Sequence, residues 1–310
     1  MKFKLILFIF LIFPNIIFSA FENDYTGSAR VQALNFSIVG AVNDIDAIVF
    51  NSAGLIEMEF TEILLSYSRF FIEIDYGKIS DASFSVTYPC EEFFKIGVHF
   101  NRFSADIYSE NTFITAFAFK INEKFSAGIN FKYLFWDTEP VTLYQIGDVA
   151  IEKLKGYGIG FDIDFLFKIR EKLNLGLCFV NVNEPSIESK SSAIKERVPF
   201  IIKTGFGWNM KNFLLLSQFE FKDFSFSHTS PIKRRILKRF GLEYPISKFN
   251  LNLRGGISFY NLFENFNFSA GIGYKPLKKF NFEIDYGFLI PFFSIKDTLG
   301  NHSLSIKYKF

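Results

Sequence analysis

At 310 residues the chain is long enough for one large barrel or two ordinary domains, and length alone does not choose between them. Phenylalanine occurs 45 times in a chain that is only 49% hydrophobic and 21% charged, an allocation that suits a lipid-facing surface far better than a soluble core. With 34 Lys and Arg against 32 Asp and Glu there is no basic excess to follow a phosphate backbone, which excludes a nucleic-acid partner, and two cysteines make no disulfide framework.

Residues 1–20 read as a signal peptide. Lys2 and Lys4 form a basic start, an apolar stretch runs from Leu5 to about Phe18, and Ser19 and Ala20 supply small residues for cleavage after Ala20. Removing Lys2 and Lys4 brings the basic residues level with the 32 acidic ones. No cysteine follows the cleavage point, so a lipoprotein is not expected. No later run of ~20 apolar residues could form a spanning helix, so membrane embedding would require a closed barrel that satisfies its own backbone.

Residues 21–58 show no period-2 alternation. They carry Gly27-Ser28-Ala29-Arg30, then Asn43-Asp44-Ile45-Asp46-Ala47, then Asn51-Ser52-Ala53-Gly54-Leu55.

From about residue 61 alternation recurs to the end of the chain. In the segment 157–167, Tyr157, Ile159, Phe161, Ile163 and Phe165 alternate with Gly158, Gly160, Asp162 and Asp164. At the end, Leu304, Ile306, Tyr308 and Phe310 alternate with Ser303, Ser305, Lys307 and Lys309. The pattern predicts about fourteen antiparallel strands in 59–310, at 61–68, 80–88, 92–101, 112–121, 124–135, 156–168, 172–181, 199–209, 212–222, 234–244, 248–259, 265–275, 279–290 and 302–310. Many have the ~9–11 residues of a transmembrane strand. The fold class is therefore all-β: a transmembrane antiparallel barrel.

Connections alternate in length. Short ones fall at Pro89-Cys90-Glu91, Asn122-Glu123, Arg170-Glu171, Met210-Lys211, Ile246-Ser247 and Pro276-Leu277-Lys278, and long ones near 69–79, 102–111, 136–155, 182–198, 223–233, 260–264 and 291–301. Outer-membrane barrels have short periplasmic turns and longer external loops, which puts the C-terminus in the periplasm. The closing Leu304, Ile306, Tyr308 and Phe310 resemble the strand that barrel-assembly machinery recognises. The expected location is the outer membrane of a Gram-negative-type bacterium, with its lipid and that machinery as partners.

The N-terminal motif resembles the opening of the FadL-like and PorV/PorQ-like outer-membrane families. Asn43, Asp44, Asp46 and Ala47 match the middle of their pattern, and Asn51, Ala53, Gly54 and Leu55 its end, with Ser52 where the pattern has proline. The resemblance implies that 21–58 form a plug inside the barrel. Residues 43–50 would be a short helix capped by Asn43 or Asp44, and Asn51 to Gly54 would turn the chain into the first strand. It also implies one of two functions: FadL-like passage of small hydrophobic molecules, or a PorV/PorQ-like barrel that serves secretion-system proteins. The length lies nearer the compact PorQ-like end.

No enzyme chemistry stands out. His99, His228 and His302 have no metal-ligand or catalytic spacing, no cofactor motif occurs, and His99 falls on the inward face with Lys95 and Asn101. Gly156, Gly158 and Gly160 read as inward glycines where a plug packs closely, not as a phosphate loop. The inward set includes Lys132, Asp162, Asp164, Arg239, Arg254, Glu283 and Asp285, with Lys120, Lys203, Glu220, Lys222, Glu243 and Lys307. Mixed signs favour mutual pairing that holds the plug, with a selectivity path as the alternative. Cys90 in a turn and Cys178 in mid-strand are not expected to pair. The loop at 136–155 is a candidate cover for a hydrophobic ligand, 182–198 reads as a polar mobile loop, and Lys233-Arg234-Arg235 as a basic rim.

Overall fold

The computed structural model describes residues 21, 26–73, 78–143, 149–151, 154–188, 197–222, 235–260, 266–276, 281–292 and 298–310. The signal-peptide reading of 1–20 and the basic pair Lys233-Arg234 lie outside them.

Sixteen strands are described. They are β1 (Glu62–Arg69), β2 (Ile79–Glu91), β3 (Phe94–Ala105), β4 (Tyr108–Asn122), β5 (Phe125–Thr138), β6 (Val141–Leu143), β7 (Val149–Ile151), β8 (Lys155–Arg170), β9 (Leu173–Val180), β10 (Ile201–Asn209), β11 (Leu214–Lys222), β12 (Arg235–Ile246), β13 (Leu251–Phe259), β14 (Asn267–Tyr274), β15 (Phe282–Pro291) and β16 (Asn301–Lys309). Fourteen close into one antiparallel barrel, and β6 and β7 form a separate small hairpin. Closure is made by β1 on β16, from Glu62↔Lys309 to Arg69↔His302, so the sheet ends on itself and exposes no long edge there. The fourteen strands read from alternation are these fourteen.

The wall is a globular protein turned inside out. On β16, Ser303, Ser305 and Lys307 are buried while Leu304, Ile306 and Tyr308 face outward, 51%, 45% and 41% exposed. On β8, Asp162 and Asp164 are buried while Tyr157 and Ile159 face outward. An apolar exterior around a polar interior is stable only where the exterior meets hydrocarbon. Among the described residues no helix is long and apolar enough to cross a membrane.

The apolar core is inside, in the N-terminal segment. Residues 26–58 lie within the barrel as α1 (Ala29–Ala33), α2 (Ala47–Phe50) and a 3-10 helix (Ser52–Glu57). Leu34, Ile38, Ile45, Ile48 and Leu55 are fully buried there. Ser28 starts α1, its hydroxyl accepting the Val31 N–H at 3.3 Å. Eight strands turn a glycine onto this segment: a side chain at Gly176 would collide with the Val39 carbonyl, and one at Gly287 with that of Ala29. Backbone thus lies flat against wall.

Four sequence expectations are corrected. The helix predicted over 43–50 spans only Ala47–Phe50, and neither Asn43 nor Asp44 caps it. One oxygen of Asp44 accepts the Asp46 N–H at 3.2 Å, and the other is drawn to Lys307 at 2.8 Å. Helix α1 has no counterpart in the reading, because a five-residue turn is too short to show a 3.6 period. The long external loop at 102–111 does not exist: β3 and β4 pair out to Ala105↔Tyr108, leaving Asp106-Ile107 as the turn. That rim carries Ser104, Ala105 and Asp106, where no apolar face is demanded. Finally, the inward Gly156 and Gly158 do not meet the plug; the carbonyls of Ile187 and Ser186 sit on them. Cys90 and Cys178 are both free.

One side of the wall is taller. β2, β3, β4, β5 and β8 run 13, 12, 15, 14 and 16 residues, whereas β9, β10 and β11 run 8, 9 and 9.

Candidate functional site: the plug, its fastenings and the cavity above it

The plug is fastened on two sides. At the end of the barrel where β1 begins and β16 ends, charges from plug and wall interlock. Arg254 reaches Glu243 at 2.6 Å and Glu283 at 3.1 Å, and also pairs with Asp285. Arg30 of α1 binds the same Glu243 at 3.2 Å and approaches Asp44 at 3.5 Å. Lys307 of the wall binds Asp44 at 2.8 Å and Glu283 at 3.5 Å. Glu62 accepts the Ile45 N–H at 3.1 Å and pairs with Lys309. Arg254, Arg30, Lys307, Asp44, Glu243 and Glu283 thus each have more than one partner, the condition under which ionised groups tolerate burial.

Asp44 and Asp46 belong to this network and titrate in opposite directions. Burial works against the Asp44 carboxylate, but Lys307 and Arg30 outweigh it and hold its pKa well below the usual range. Burial, and then the charge of Asp44 beside it, push Asp46 up to about 7, although the Ser28 hydroxyl donates to it at 2.9 Å.

On the opposite side, hydrogen bonds stitch α2 and the 3-10 helix to β5, β8 and β9. Asp164 accepts the Ser52 N–H at 2.8 Å and its hydroxyl at 2.7 Å. The residue that replaces the family pattern's proline thus uses the N–H a proline lacks. Asn51 donates to the carbonyls of Val39 at 2.9 Å and Phe165 at 3.1 Å. Ala53 is fully buried and its carbonyl accepts from Ser126 at 3.0 Å. A side chain at Gly54 would collide with the Val42 carbonyl. The thiol of Cys178 donates to the Phe50 carbonyl at 3.3 Å.

The lumen residues named from sequence fall into three groups. Arg254, Glu283 and Asp285 join Asp44 only indirectly, through Glu243 and Arg30 and through Lys307. Lys132 and Asp162 pair at 2.6 Å, with Asp164 one step along the same strand. Arg239 stands apart, 3.5 Å from Glu220, donating to the Asn35 carbonyl at 3.3 Å and lying 5.4 Å from the centre of the Phe36 ring. Asn43 is exposed on the plug surface. His99 pairs with Ser85 at 2.8 Å and takes no part in either fastening. Sequence reasoning missed Arg30, Glu62, Phe36 and Asn130, whose amide donates to the Ile48 carbonyl of α2 at 3.1 Å; the signal for Arg30 was its place three residues after Gly27 in the N-terminal motif.

Above the plug, toward the opposite end of the barrel where β5 and β9 end, lies a cavity of about 160 Å³. Phe36, Phe50, Ile114, Leu134, Val180 and Ile201 give it an apolar side, and Lys132, Asp162, Lys203, Glu220 and Arg239 a charged one. Two hollows of about 180 and 210 Å³ open below it, lined respectively by Arg30, Asp44, Arg254 and Lys307, and by Val42, Asn43, Glu57 and Lys172. The side chains of 141–143 and 149–151, part of the candidate cover at 136–155, lie outside the described residues.

No family model matches the chain, and no curated protein is similar to it in sequence. Its fold is shared with solved structures. The CymD monoaromatic hydrocarbon channel matches with a TM-score of 0.70 at 13% identity, over 93% of this chain and 98% of that one. The Ralstonia pickettii toluene transporter TbuX matches with a TM-score of 0.69 at 10% identity, over 93% and 99%. A Pseudomonas aeruginosa FadL homologue matches with a TM-score of 0.65 at 12% identity, over 92% and 98%.

Proposed function

We propose that this chain is a plugged outer-membrane channel that admits small hydrophobic molecules from outside the cell. The observation that carries the reading is a partly apolar cavity above a plug that is fastened to the wall from both sides, in a barrel that aligns along almost its whole length with hydrocarbon channels. A general porin needs a continuous aqueous lumen, whereas here residues 26–58 fill it. The half-apolar cavity suits a ligand of modest size oriented by a few polar groups. Phe310, exposed at the end of the closing strand, is available to barrel-assembly machinery, and the apolar outer wall to membrane lipid.

The test has two parts. Single-channel recordings of the full-length barrel in a planar bilayer should show a closed state, and deletion of 21–58 should produce a large steady conductance. Whole Gram-negative cells that express the full-length protein should take up radiolabelled toluene faster than cells without it. A steady conductance from the full-length protein would make it a porin. A closed barrel that changes no uptake would leave a scaffold of the PorV/PorQ kind.

A further inference from the structure

On the outer face of the wall the ladders can be followed from strand to strand. Near the end opposite Phe310, one row crosses β16, β1, β2, β3 and β4 as His302, Arg69, Ser80, Ser104 and Ser109. The next row toward mid-wall places Tyr67, Ala82, Arg102 and Asn111 on β1 to β4. The row below that is Leu65, Phe84 and Phe100, which are 55%, 44% and 37% exposed. Arg69 shares the outward face of Leu65 and Tyr67, and Arg102 that of Phe100, because residues two apart on a strand share a face.

Charge is scarce on this surface. Among the described residues the outward faces of β9, β10, β11, β13, β14 and β15 carry none. From β1 round to β8 the same outer face carries Arg69, Arg102 and Lys155 near one end, against a single acid, Asp137, which accepts from the Ser109 hydroxyl. A charge that faces hydrocarbon is costly, and the cost fades toward the headgroups. The basic residues therefore mark headgroup depth, and the apolar row beneath them marks the acyl region.

Two of these cations form a seat. Arg69 on β1 and Arg102 on β3 flank the short side chains of Ser80 and Ala82 on β2, about 10 Å apart across the sheet. Side chains as long as arginine can meet over that low ground. Among the described residues neither arginine is ion-paired with an acid. Arg102 donates to the Asn111 side-chain oxygen at 3.3 Å, and the nitrogen of that buried amide has no acceptor. His302 offers the seat nothing, since the Tyr286 hydroxyl and the Leu299 carbonyl take both its ring nitrogens. Planar guanidinium groups with spare donors fit phosphate oxygens closely. A phosphate alone would have no use for Leu65, Phe84 and Phe100 directly below, whereas a phosphorylated lipid would lay its chains along them.

Building on the reading of this chain as an outer-membrane channel whose Phe310 end faces the periplasm, we infer that Arg69 and Arg102 clasp a phosphate on the sugar headgroup of an outer-leaflet glycolipid of the lipopolysaccharide type. The lipid sits on the outside of the wall, and its acyl chains follow the apolar row below the clasp.

Native mass spectrometry of the full-length protein in mild detergent, titrated with bis-phosphorylated lipid A, tests this. Arg69→Gln with Arg102→Gln should weaken lipid A binding about tenfold. Lys238→Gln, which removes a cation whose amine lies over the Phe259 ring on another part of the wall, should leave it unchanged. Lipid A stripped of its phosphates should bind the wild type about tenfold more weakly, and excess inorganic phosphate should not displace the intact lipid. Equal binding of the stripped lipid, displacement by inorganic phosphate, or an equal loss in Lys238→Gln would each overturn the clasp. If the double variant does not fold, the two lipids compared on the wild type decide. The orientation has its own readout: Asp106→Cys, made in a Cys90→Ser protein, should react with a membrane-impermeant maleimide on intact cells, Cys178 being buried. A rim that stays unlabelled overturns the orientation and the outer-leaflet docking with it. A labelled rim on a protein that ignores lipid A overturns the clasp alone.

Discussion

Single residues decide how the plug is held. Ser52 supplies two hydrogen bonds to a buried carboxylate, so Ser52→Pro, which introduces the residue found there in the pattern the motif resembles, should destabilise this protein by about 1–3 kcal/mol through the unpaired Asp164. Unfolding of the reconstituted barrel in denaturant measures it, and an unchanged midpoint would refute the role given to that N–H. Asp46 sets a pH dependence. An acid whose folded pKa lies above its unfolded value of ~3.9 holds its proton longer when folded, so its contribution to stability is lost as pH rises through the folded value of about 7. Asp44, held low, contributes in the opposite sense: its share is present above the unfolded value and is lost as pH falls below it. The melting temperature of the wild type should therefore fall between about pH 4 and about pH 7, and Asp46→Asn should flatten that slope. A slope equally steep in the variant would show that another group carries it.

Elements were legible in proportion to the solvent contrast they straddle. Strands inside the bilayer alternate because one face meets lipid and the other meets plug, so β16 and β8 could be read directly. Beyond the lipid that contrast fades, which is why the sequence around Asp106 reads as a loop although β3 and β4 pair out to Ala105↔Tyr108. The plug obeys neither period. It is buried on all sides, so α1 and α2 carry no amphipathic signature; motif resemblance alone points to α2, and nothing in the sequence points to α1. For the same reason the lumen charges were visible as inward-facing while their partners were not: nothing in the spacing links Arg30 to Glu243 across more than two hundred positions. The glycine seats are a testable element-level property. Gly176→Ala puts a methyl group where the Val39 carbonyl lies and should cost about 1–3 kcal/mol as overpacking, with added current noise as the plug shifts. Quiet, closed recordings from this variant would show that the plug yields without loosening.

At the scale of the whole molecule, stability depends on which solvent each face meets. Ile306 faces outward near the middle of β16, so Ile306→Lys should lower the stability of the folded barrel in lipid by about 2–4 kcal/mol. Tryptophan fluorescence during unfolding from vesicles reports it. The wild-type midpoint in the variant would mean that this position does not lie in hydrocarbon, and the inside-out reading of the wall would need revision.

The glycine seats also bear on how the molecule is put together. The plug precedes β1 in the chain, and β1 is the strand on which β16 closes the barrel. Eight strands are shaped to the contour of the plug, from Gly97 on β3 round to Gly287 on β15. The segment thus has the place of a mandrel: it precedes every strand in the chain, eight strands follow its contour, and the seam that starts at Glu62↔Lys309 closes the wall around it.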